Sequence, residues 1–177
     1  MKPVARRVLI GLLTGILLHF IAAQVNHYLA PWQLHVWVGG LVVALPALRL
    51  SYRGGFWIVA LTGLLFDATT PVPFGLHALL FAIAHLLVYR VRARLASEEN
   101  LIGVLVALLL NLGLFIVFAF TRFTVTPDVG SAGLRLFSDL IVSQLFLALI
   151  APWFFALQVR SLEISGAGLR DDPTVMI

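Results

Sequence analysis

The chain has 177 residues, 61% hydrophobic and 11% charged, with no cysteine and a mean hydropathy of +1.04. Soluble domains are about 45–50% apolar and about 25% charged, so a soluble globular domain, a disordered tail and a disulfide scaffold are excluded. So is thiol, Cys-zinc or iron–sulfur chemistry. A net charge of +4 and a pI near 10.3 would point to nucleic acid in a soluble protein. In a chain this apolar the position of each charge decides, and no nucleic-acid partner is expected.

The first apolar run, Val8 to Ala23, fades through Asn26 and His27 and follows Lys2, Arg6 and Arg7. It is too long for a signal-peptide core and has no Ala-x-Ala site, so an uncleaved helix is expected. The second run is Trp32 to Leu50, with Pro46 kinking or ending it. The third is Gly55 to Asp67 or Ala68, the fourth Phe74 to Tyr89 and the fifth Leu101 to Thr121. The sixth is Leu134 to Val159, bent by Pro152. Six passes of about 20 residues use about 120 residues. The expected domain is therefore a six-transmembrane-helix bundle over 1–160, all-α, with a short polar cytoplasmic tail over 161–177.

With both termini in the cytoplasm, Lys2, Arg6, Arg7, Arg49, Arg53, Arg90, Arg92, Arg94, Arg160 and Arg170 fall inside, and only Arg122 and Arg135 outside. That alternation follows the positive-inside rule. The third pass is short. From Gly54 to Asp67 a helix rises about 21 Å, against a hydrocarbon core of about 30 Å. Asp67 and the break Thr69-Thr70-Pro71-Val72-Pro73-Phe74-Gly75 should lie at or below the outer surface. Non-helical backbone at that depth needs cover, so the hairpin tip is expected to pack against other helices.

Polar and small residues recur at helical spacing. The first helix carries Gly11, Gly15, His19, Ala22/Ala23 and Asn26. The fifth carries Gly103, Ala107 and Asn111, and the sixth Arg135, Asp139 and Ser143. Gly63 precedes Asp67 by one turn, and His77, Phe81 and His85 share a face. All read as helix-packing positions. A carboxylate in mid-membrane costs about 2.5–3.5 kcal/mol, so Asp67 and Asp139 need an account. Asp67 is expected to bond the broken hairpin, and Asp139 to pair with Arg135. The competing reading, an aspartyl peptidase dyad, lacks the flanking Asn and Gly residues it would need. The histidines lack companions for a metal site, and no cofactor motif is present. Trp32, Trp37, Trp57 and Trp153 fit an aromatic belt. Arg90, Arg92 and Arg94 make a basic corner suited to contact with membrane lipids.

The stretch Gly63-Leu64-Leu65-Phe66-Asp67-Ala68-Thr69-Thr70-Pro71-Val72-Pro73-Phe74-Gly75-Leu76-His77-Ala78-Leu79 resembles the MreD family of bacterial rod-shape-determining proteins. That family shows a Gly-Leu-x-x-Asp step, a short break and a Gly-Leu-His-Ala-Leu-like restart. Gly63, Asp67, Pro73, Gly75 and His77 carry the match. The Pro71-x-Pro73 pair stands where a Gly/Ser-rich break is usual. The resemblance implies a non-enzymatic scaffold of the cell-elongation complex in the bacterial cytoplasmic membrane. Its implied partners are a membrane-anchored MreC-like protein, the MreB filament, RodA and a class B penicillin-binding protein. It also implies a fold similar to the substrate-binding subunits of energy-coupling-factor transporters. The alternative function is a small-solute-binding transport subunit, its pocket roofed by the 67–77 hairpin and lined by His19, Asn111 and Asp139.

Overall fold

A computed structural model describes residues 3–95, 100–123 and 129–166. Among these the chain is all-α, without strands. Six α-helices follow in order: α1 Pro3–Leu29, α2 Gly39–Arg49, α3 Tyr52–Thr69, α4 Leu76–Val91, α5 Asn100–Phe123 and α6 Val129–Ile164. Four segments are long and apolar enough to cross a membrane: Val4–Trp32, Leu76–Arg94, Leu101–Thr121 and Gly133–Ile164. α3 has 18 residues but carries Arg53 and Asp67. α2 has only 11, about 16 Å at 1.5 Å per residue.

The second apolar run departs most from expectation. It is not helical from Trp32. A 3-10 turn covers Ala30–Trp32, Gln33 takes a left-handed conformation at φ 55°, and the helix starts only at Gly39. Pro46 lies inside α2 rather than ending it. Likewise α6 passes through Pro152 and runs to Ile164, beyond the expected boundary at 160. Residues 167–177 of the expected tail lie outside the described residues.

α2 is the centre of the bundle. Every residue from Gly39 to Leu48 is buried, as expected of a helix that is apolar all round. It packs against α3, α4 and α5, while α1 covers α3, and α6 joins α5 to α1. Small residues set these approaches. A Cβ on Gly40 would collide with backbone N of Asn111 and O of Ala107, and one on Gly63 would strike the backbone of Ala78. Gly11 and Gly15 meet Ile58 and Thr62 of α3, and Gly103 meets Phe155. The expected packing stripes on α1, α3 and α5 are thus real seams. Gln158 Nε2 donates to Thr14 Oγ1 at 2.9 Å and ties α6 to α1.

One end of the bundle gathers the basic residues. Arg6 Nη1 donates to Ser165 O at 2.8 Å, and Arg92 Nη1 to Leu50 O at 2.7 Å. Arg92 also lies over the Tyr89 ring. The opposite end holds the 30–38 segment and the 70–75 hairpin.

Gly40→Ala should therefore destabilise the protein by about 1–3 kcal/mol through overpacking. Gly113, where an added Cβ meets nothing within 4 Å, should tolerate the same change. Thermal melting of the detergent-solubilised variants measures the contrast.

Candidate functional site

The hairpin between α3 and α4 is built around Asp67. Its carboxylate sits on the last turn of α3 and faces the first turn of α4, whose N–H groups have no helical partner. Oδ2 accepts from Gly75 N at 3.0 Å and Ala78 N at 3.2 Å. Oδ1 accepts from His77 N at 2.8 Å, and His77 Nδ1 lies 2.9 Å away. Gly75 has φ +94°, a conformation open to glycine at little cost. The His77 ring stacks on Phe118 of α5 with centroids 4.2 Å apart. Thr69 and Thr70 hydroxyls return to Phe66 O. Hydrogen bonds to charged groups contribute about 1.5–3 kcal/mol each. Two of them offset the insertion cost of the acid.

The tip meets the expectation on one side and departs from it on the other. Thr70 and Val72 line a cavity with Trp37, Phe115, Phe118 and Asp139, while Asp67 satisfies the amides that restart the helix. Pro71 and Pro73 are exposed, and Phe74 is 74% exposed.

A second break, at residues 33–38, was not foreseen. Val36, Trp37 and Val38 are buried there in non-helical backbone, and buried amides must find partners. Side chains supply them. His35 N donates to Asp139 Oδ1 at 2.7 Å, Val36 N to Asn26 Oδ1 at 2.6 Å, and Trp37 N to Ser143 Oγ at 2.9 Å. Asn26 Nδ2 returns to Val36 O at 2.9 Å. Gly40 N, at the start of α2, donates to Asn111 Oδ1 at 3.1 Å. The polar residues of α1 and α6 thus converge on the strap, and that of α5 on the first turn of α2 that follows it.

Asp139, expected to pair with Arg135, accepts the strap amide of His35, and the Arg135 side chain is exposed. Two expectations change. Trp37 is no belt residue but is buried between Phe81 and Phe118; Trp32, Trp57 and Trp153 remain exposed. His19, Asn111 and Asp139 do not line one pocket. His19 bridges to Thr69 Oγ1 at 3.2 Å on the α1–α3 seam, and Asn111 is sealed at the α2–α5 contact. Only Asp139 borders the cavity at this end, with His35, Trp37, Thr70, His77 and Phe118. Its volume is about 50 Å³, room for one or two waters.

Asp67 and Asp139 make no contact with each other among the described residues, and both hold backbone amides. No group of three metal-ligating residues occurs among the described residues. Ser143, His35 and Gly40 were missed as a set. Gln33, His35 and the Gly39-Gly40 pair, polar or helix-breaking within an apolar run, were the available signal.

The fold and site define an all-helical membrane protein whose intramembrane polar groups serve breaks in its own backbone. Compared with protein-family models, curated proteins and solved structures, the chain matches none.

Asp67→Ala leaves four donors without their acceptor and should cost about 3–5 kcal/mol; Asp67→Asn, which keeps an acceptor oxygen, should cost less. Amide exchange at Gly75–Ala78 should accelerate in both, most in the alanine variant. At the strap, Asp139→Asn should retain His35 amide protection, and Asp139→Ala should lose it.

Proposed function

We propose that this chain is a non-enzymatic scaffold of the MreD type. It crosses the bacterial cytoplasmic membrane six times with both termini inside and positions the cell-elongation machinery. The carrying observation is how the residues of the resembling motif are used. Gly63 lets α3 and α4 touch, Gly75 makes the turn, and Asp67 and His77 lock it. What the lock leaves outward is an apolar tip of Pro71, Pro73 and Phe74. A rigid protruding tip suits a partner's transmembrane helix or periplasmic stem, here an MreC-like protein. Rigidity lowers the entropy lost on docking. The gathered basic end supports the orientation by the positive-inside rule and faces the MreB filament. RodA and the class B penicillin-binding protein would be held through the same assembly.

The transport reading draws on the cavity beside Asp139. At about 50 Å³ it falls well below the roughly 300 Å³ of a ligand pocket, which favours the scaffold.

A photocrosslinker at position 74 should capture the MreC-like protein in cells, whereas one at lipid-facing Leu109 should not. Phe74→Ser should lower co-purification with that protein severalfold at unchanged melting temperature, and Asp67→Ala should round the cells. Equal capture from both positions, with full co-purification of the serine variant, would refute the tip as the docking site.

A further inference from the structure

At the basic end, α2 stops at Arg49 while α6 continues to Ile164. The mismatch leaves a groove of about 560 Å³ lined by Arg49, Arg160, Glu163, Ala156, Val159 and Ile164. We propose that this groove binds one phospholipid with an anionic phosphodiester and a hydroxyl-bearing headgroup, of the phosphatidylglycerol class. The inference depends on the chain lying in a membrane and not on the scaffold reading.

Charge and shape carry it. Two guanidiniums against one carboxylate leave the lining at about +1, matching a phosphodiester's single negative charge. A guanidinium fork bonds two phosphate oxygens at once. Arg49 keeps a contact within the protein, but five N–H donors let it hold a phosphate as well. Glu163 accepts from the glycerol hydroxyls, which a choline headgroup does not have. α6 supplies the rest of the lipid's outline. Leu149, Trp153, Ala156 and Arg160 lie on one face by the 3.6-residue period, and all are exposed. An acyl chain can follow Leu149 and Trp153 toward the bundle's middle while its head rests at Arg160. Basic pockets between helices on the cytoplasmic side are recurrent sites for anionic headgroups.

Trp153, one turn from Ala156, provides the readout. The full chain in detergent is titrated with phosphatidylglycerol or phosphatidylcholine carrying brominated acyl chains, and Trp153 quenching is taken as the difference from Trp153→Phe. Phosphatidylglycerol should quench at roughly 25-fold lower mole fraction, about five-fold for each arginine. Arg160→Gln should cut that preference about five-fold, while Arg90→Gln, on α4 at the same end, should leave it intact. Equal quenching by both lipids, or an unchanged preference in Arg160→Gln, overturns the proposal. Displacement of the brominated lipid by millimolar inorganic phosphate would also overturn it, by assigning the groove to a free anion.

Discussion

Every backbone amide buried in a bundle of this kind must find an acceptor, because lipid offers none. That constraint organises the molecule. Within helices it is met by the chain itself. At the two breaks it is met by side chains: Asp67 for the 75–78 amides, and Asp139, Asn26, Ser143 and Asn111 for those of 35–40. Remove these acceptors and neither break can sit where it does.

α2 is about half as long as a hydrocarbon core of about 30 Å, and the strap extends its segment toward the hairpin end. The strap's side-chain partners come from α1 and α6, and Asn111 of α5 holds the first turn of α2 beside it, so helices distant in sequence are stitched together. The hairpin lock ties α3 to α4, and His77 carries that tie onto α5 through Phe118. Glycines at 40 and 63 bring the backbones close enough for these bonds. Stability and geometry thus reside in the same residues.

Function follows from what the network leaves outside. Its acids and amides are turned inward onto backbone groups. The surface retains an apolar tip at one end and arginines at the other, with lipid-facing leucines between. Such a distribution leaves apolar shape at one end and positive charge at the other as the features open to recognition.

Helix content, the apolar runs, the basic asymmetry and the small-residue seams were legible in the sequence, because spacing and charge are local properties that lipid reads directly. The Asp67 hairpin was legible too, since the acid, the prolines and the glycine lie within a dozen residues. The strap was not. Val36, Trp37 and Val38 are as apolar as any helix, and the side-chain acceptors of the strap amides sit 10 to 106 positions away. Asp139 was legible as an acid one turn from Arg135, but not as the acceptor of a strap amide 104 residues distant in sequence. Helical periodicity reports which face a residue occupies; only the packed bundle decides which backbone that face must satisfy.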